Sequence, residues 1–141
     1  MRIVALDVGD KRIGVAVSDL LGLTAQPVGM VERVGWGPDI RAIAAHAQAY
    51  DTRTLLCGLP RNMDGSYGPQ AEKVQAFAGK LEESGFDVLF WDERMSTVTA
   101  ERALIEGGMR REQRKGVIDR TAAVIILQAY LDANEQKGGK R

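Results

Sequence analysis

The feature that most narrows the fold is a change of hydrophobic period near residue 35. Before it, two apolar runs, 2–8 (RIVALDV) and 13–19 (IGVAVSD), flank the turn residues GDKR, a pattern that predicts an antiparallel hairpin. A third strand is expected at 26–33. After the change, helical and strand-like segments alternate. Gly37-Pro38 opens a stretch with Ile40, Ile43, Ala44 and Ala47 at helical spacing. RTLLC (53–57) reads as a buried strand and GLPRNMDGSYG (58–68) as a loop. Gly68-Pro69 opens a second helix with Val74, Phe77, Ala78 and Leu81 on one stripe and Gly85 near its end. FDVLFW (86–91) is a further strand. Helices are expected from Ser96 or Thr97 to about 106 and from about 117 to 135, with a glycine-bearing charged segment between them. Three strands followed by this alternation predict one α/β domain, residues 1–141, built on a mixed sheet with right-handed crossovers.

Composition restricts the functional classes. With 141 residues, 45% of them apolar, the chain can bury a core of its own. The lone Cys57 excludes an internal disulfide, and no paired Cys/His spacing suggests zinc. No run reaches the roughly 20 apolar residues of a membrane span, and MRIVALDVGD lacks the look of a signal peptide. The expectation is a cytoplasmic protein with no membrane partner. A formal net charge of zero argues mildly against a polyanionic ligand, yet Arg110, Arg111, Arg114, Lys115 and Arg120 crowd one region, so zero net charge can hide a basic surface.

Three acids stand where chemistry gathers. Asp7 interrupts an apolar strand, Glu93 lies just past a strand end, and Asp119 falls near the start of the last helix, on the face of Ala122, Ala123, Ile126 and Tyr130. Sites in open α/β sheets form beyond the carboxyl ends of strands. Carboxylates grouped there repel one another unless a cation or proton intervenes, and magnesium suits an all-oxygen site that must keep room for substrate. Two such ions can assist in-line attack on a phosphodiester. Each acid also has an ordinary alternative: Asp7 as a cap on the Gly9 turn, Glu93 as an ion-pair partner, Asp119 as a helix-start acid favoured by the dipole. His46 is the only histidine, so no Ser-His-Asp arrangement competes.

Four segments together, DVGDKRIGVA (7–16), GLPRNMDGS (58–66), DERMST (92–97) and KGVIDRTAA (115–123), resemble the YqgF or RuvX family, Holliday-junction-resolvase-like proteins of the ribonuclease H superfamily. The likeness runs from about residue 1 to 133. It implies a ribonuclease H-like five-stranded mixed sheet flanked by helices. It also implies that Asp7, Glu93 and Asp119 are catalytic acids holding Mg2+ or Mn2+, and that the activity is that of a metal-dependent nuclease. Members are described as trimming the precursor of small-subunit ribosomal RNA or as resolving DNA junctions. RNA is the favoured partner and branched DNA the alternative, with the chain a monomer or, for paired nicks, a homodimer. A non-cleaving nucleic-acid-binding module in transcription or ribosome assembly is a third possibility. Met95 departs from the apolar residue expected there, such as leucine, without touching the chemistry.

Around the acids, Lys11 and Arg12 could contact phosphate or merely form a solvated turn. Arg61 and Asn62 sit in a loop on the expected site side, where substrate contacts are common. Met63 and Tyr67 in that loop could stack on an unpaired base or fill core. Arg94 could stabilise phosphate charge or neutralise neighbouring acids. Lys115 and the 110–115 segment would suit a flap over a nucleic-acid backbone or a plain exposed loop. Trp36 and Trp91 are expected to pack, His46 to lie at the surface or half-buried, and Cys57 to be inert core.

Overall fold

A computed structural model describes residues 2–95 and 122–138. These form one five-stranded sheet in the order β3-β2-β1-β4-β5. The strands are β1 (Val4–Val8), β2 (Arg12–Ser18), β3 (Ala25–Glu32), β4 (Thr54–Leu59) and β5 (Asp87–Asp92). The opening hairpin and meander are antiparallel, whereas β4 lies parallel to both β1 and β5. Helix α1 (Trp36–Ala49) connects β3 to β4, and α2 (Pro69–Glu83) connects β4 to β5. A helix α3 spans Ala122–Gly138. The mixed sheet is therefore the one the sequence pattern predicts. The expected helix near 96–106, the charged segment 110–115, Lys115 and Asp119 lie outside the described residues.

The two faces of the sheet are built from different side chains. Val4, Leu6, Val8, Ile13, Val15, Val17, Leu55, Cys57 and Leu59 face α1 and α2, where they meet Ile43, Ala47, Val74, Phe77 and Leu81. Phe77 is 1% exposed, a burial worth roughly 1.5–3 kcal/mol. The opposite face offers Ala5, Ala16 and Leu56 to Ala123, Ile126, Leu127 and Leu131 of α3. Gln128 ties that helix to the β2–β3 hairpin: its Oε1 accepts the Ala25 N–H (2.9 Å) and its Nε2 donates to the Leu23 carbonyl (3.0 Å).

Three local expectations need adjusting. Gly58 and Leu59, read as the start of a loop, continue β4, because they pair with Trp91 and Asp92 of β5 and Leu59 is buried. Trp36 is 46% exposed rather than packed, with the Lys80 ammonium 5.3 Å from its ring centre. Met63, 88% exposed, fills no core. By contrast Trp91 does pack, meeting Tyr130 edge-on with ring centres 6.0 Å apart.

Asp39, in the first turn of α1, is 1% exposed. It accepts N–H bonds from Val34 (2.9 Å) and Gly35 (3.4 Å) and pairs with Arg33 (3.3 Å). Burial pushes its carboxyl up, but these bonds outweigh burial and hold it below the ordinary 3.8. A carboxyl lowered by folding contributes stability that is complete above its unfolded value and is lost as pH falls through the folded one. Asp39→Asn should therefore cost about 2 kcal/mol at neutral pH and flatten the acid limb below 3.8, as read from urea melts across pH. Cys57 is fully buried; burial first, then nearby Glu82, pushes its thiol up to about 12. It should resist alkylation at pH 8 in the native protein and react fully in denaturant, as counted by mass spectrometry.

Candidate active site

Asp7 and Glu93 lie at one rim, on one face of the sheet. Side chains alternate along a strand, so Asp7 shares the α3 side with Ala5. Glu93 follows β5 directly, in a 3-10 turn Glu93–Met95, and is 3% exposed. Between their strands runs β4. Its register with β1 pairs Leu6 with Cys57, which sets Gly58 beside Asp7, while Gly58 pairs with Trp91 on the other side. On β2, Asp7 faces Gly14. The acid of β1 is thus flanked by a glycine on each neighbouring strand. A Cβ at Gly58 would overlap the Cδ1 of Ile126 and lie 3.4 Å from the Cγ of Glu93. Glycine here leaves the Glu93 side chain lying over β4, while Asp7 stands on β1, one strand spacing of about 4.8 Å beyond Gly58.

The basic residues reach this rim from two loops. Lys11 is exposed and Arg12 half-buried in the β1–β2 turn. That turn is anchored from below: Arg33 Nη1 donates to the Gly9 carbonyl (2.9 Å), Gln70 Nε2 to the Val8 carbonyl (3.1 Å), and Lys73 pairs with Asp10 (3.1 Å). The second loop, 60–68, carries Arg61 and the exposed Asn62. The Arg61 guanidinium stacks 4.5 Å from the Tyr67 ring centre and donates to the Gly65 carbonyl through Nε (2.9 Å) and Nη2. Asn62 Nδ2 donates to Ser66 Oγ (3.0 Å).

Sequence reasoning did not single out Asp92. Its carboxylate takes Arg94 Nη2 at 2.7 Å and Arg61 Nη1 at 3.4 Å. Hydrogen bonds from the Arg94 guanidinium hold the Asp92 carboxyl below its ordinary value against the opposing effect of burial, and the same contact raises Arg94. Of the two readings of Arg94, neutralising a neighbouring acid is thus realised. The missed signal was local: an Asp at a strand end with Arg two residues on is the pattern of a side chain closing its own turn.

The donor chemistry at the rim fits a divalent cation. Asp7 and Glu93 can supply carboxylate oxygens from one face of the sheet, the hard donors a divalent cation takes. Among the described residues no third His, Cys, Asp or Glu joins them. A cleft of about 750 Å³ lies elsewhere, by the amino ends of β4 and β5, with Arg41, Asp51, Arg53 and Asp87 in its wall. Its charges are balanced and it is remote from the acids. Gly58→Ala should cost about 1–3 kcal/mol by overpacking against Ile126, and should weaken Mn2+ binding as Ile126 is pushed from its place beside Glu93, as read by calorimetric titration.

Comparison with known proteins gives the family and the fold. A sequence model of the RuvX family, described as a Holliday junction resolvase, matches residues 1–133. A relative from Clostridioides difficile (strain 630), named "Putative pre-16S rRNA nuclease", is 56% identical over 132 residues, covering 93% of this chain and 94% of that protein. A relative of the same name from Halothermothrix orenii is 49% identical, covering 99% and 100%. Among solved structures, T. thermophilus RuvC in complex with Holliday junction substrate superposes with a TM-score of 0.62 at 14% identity, covering 96% of each chain. That identity speaks for the fold alone, which is ribonuclease H-like. Matched along nearly its whole length, the chain belongs to the RuvX family.

Proposed function

We propose that this chain, acting as one domain, is a metal-dependent nuclease that hydrolyses phosphodiester bonds in the precursor of small-subunit ribosomal RNA. The observation that carries the reading is the pairing of Asp7 and Glu93 at one rim across a glycine, in a chain about half identical to relatives named for that activity. Asp7 and Glu93 would hold Mg2+ or Mn2+, with Asp119 as the third acid. When bound, the ion supplies Lewis-acid polarisation of the phosphodiester.

The chain's own groups do the rest. Lys11 and Arg12 flank the acids from the β1–β2 turn and bind backbone phosphate. Arg61 and Arg94 orient the strand from the other side, using guanidinium N–H groups not engaged by Asp92 and Gly65. Asn62 adds a neutral donor, and Lys115 is assigned to the same backbone. No helix among the described residues is long and apolar enough to cross a membrane. The enzyme is assigned to the cytoplasm, as a monomer or homodimer.

The family's description favours a second reading, resolution of four-way DNA junctions. The two separate on one experiment: purified protein with Mg2+, given precursor ribosomal RNA and a four-way junction side by side. Cleavage of RNA alone is expected; paired symmetric nicks in the junction would replace the first reading with the second. Asp7→Asn should lower cleavage by on the order of 10³-fold while its metal-free melting temperature stays level or rises, since one of two repelling carboxylates is gone. Gross unfolding of that variant would count against the paired-acid site.

A further inference from the structure

We propose that Asp92 is a positioning residue whose single carboxylate joins the 60–68 loop to the turn that carries Glu93. The loop's arginine and the buried acid are then set as one unit. Its kinetic consequence rests on the nuclease reading above; the joint itself does not.

Asp92 and Glu93 are consecutive but serve opposite sides of the sheet. By register Asp92 pairs with Leu59, whose side chain faces α2, whereas Glu93 lies over Gly58 on the α3 side. Whatever fixes the rotation of Asp92 therefore fixes where Glu93 points. Two sets of bonds do so. Toward its own turn, Asp92 Oδ1 accepts the Arg94 backbone N–H at 2.9 Å, closing the Glu93–Met95 turn. Arg94 Nε sits 3.1 Å from both carboxylate oxygens, and Nη2 completes a two-pronged grip. Toward the loop, Oδ2 takes Arg61 Nη1. Arg61 in turn holds the Gly65 carbonyl, and Arg94 Nη1 reaches the Met63 carbonyl at 3.5 Å.

The loop is shaped to receive these contacts. Gly65 has φ +90, a conformation L side chains rarely adopt, and a Cβ there would stand 3.6 Å from both guanidinium groups. Internal bonds from Asn62 N–H to the Ser66 carbonyl (2.9 Å) and from Gly65 N–H to the Asn62 carbonyl (2.8 Å) keep it compact. Bidentate guanidinium–carboxylate pairs are directional as well as strong, so the joint transmits orientation and not merely proximity.

Electrostatics supplies a test with opposite signs. A carboxylate on a face that meets a polyanion repels it, so neutralising an incidental Asp92 would tighten substrate binding and leave kcat alone. A positioning Asp92 predicts the reverse emphasis: kcat falls and KM does not rise. Asn retains an oxygen for the Arg94 N–H but loses the charge, whereas Ala loses both, so the effects should be graded.

The experiment is amide hydrogen exchange of the full chain, alongside steady-state cleavage, for wild type, Asp92→Asn and Asp92→Ala. In Asp92→Asn the Asn62 and Gly65 amides should exchange ~10-fold faster with Arg94 little changed; in Asp92→Ala all three should quicken. On a cleavable substrate kcat should drop ~10-fold for Asn and ~100-fold for Ala, with KM level or lower. Unchanged exchange of Asn62 and Gly65 in both variants would overturn the joint. Faster exchange with kcat intact, or a raised KM with kcat intact, would overturn the positioning role. Should Ala fail to fold, the Asn variant decides alone. A wild type that cleaves nothing would sink the nuclease reading instead, and the exchange data would still decide the joint.

Discussion

Everything at the candidate site depends on how closely α3 can approach the sheet. The face it covers carries Ala5, Ala16 and Leu56, with Gly14 and Gly58 nearest the acid-bearing rim. Ile126, fully buried, occupies the space a side chain at Gly58 would need. A larger residue there would lift the helix and open the floor beneath Asp7 and Glu93. Close packing makes this constraint sharp, because interiors have few voids to absorb an added methyl group. It also gives the acids an apolar floor, where charges act on one another more strongly than in water.

This arrangement was partly written in the strands. VALDV and IGVAVS alternate large and small residues, the large set facing α1 and α2 and the small set facing α3. Alternation of size, not of polarity, marks a sheet covered on both sides by helices at different distances. Existence and type of the elements followed from period and from the Gly-Pro helix openings. The extent of β4 did not. Gly58 followed by Pro60 reads as punctuation, yet the ladder to Trp91 and Asp92 carries the strand two residues further. Local propensity yields here to pairing, which a single sequence does not display. Trp36 misled for a related reason: it continues the stripe of Ile40, Ile43 and Ala47, but in the first turn of α1 its ring rests beside Lys80 instead of the core.

For the candidate site, Asp7 and Glu93 stood out by their places within and just beyond apolar strands, with ordinary roles as cap or ion-pair partner open to each. Their shared face was not legible, since it depends on strand order: β1 sits between β2 and β4, and only that order sets Gly58 beside Asp7. Asp92 was hidden in plain view beside Glu93. Its role depends on Arg61, 31 residues away, a distance over which spacing carries no information.

Among the described residues, much of the positive charge at the rim is balanced within the protein. Several cations near the rim have acidic partners: Arg61 and Arg94 share Asp92, Lys73 pairs with Asp10, and Arg33 with Asp39. On the proposed reading, these paired guanidinium groups offer fixed donors whose remaining N–H groups meet phosphate only in the right place. The paired acids meanwhile repel phosphate until a cation balances them. On the proposed reading, metal and substrate each improve the site for the other, and linkage requires the effect to be reciprocal. Nucleic acid should then bind poorly to the metal-free protein, not for want of arginines but because two carboxylates guard the position the phosphate must take. On that reading, productive binding is confined to the place where acids, ion and oriented guanidinium groups coincide, and backbone contacts alone are not enough to hold the chain there.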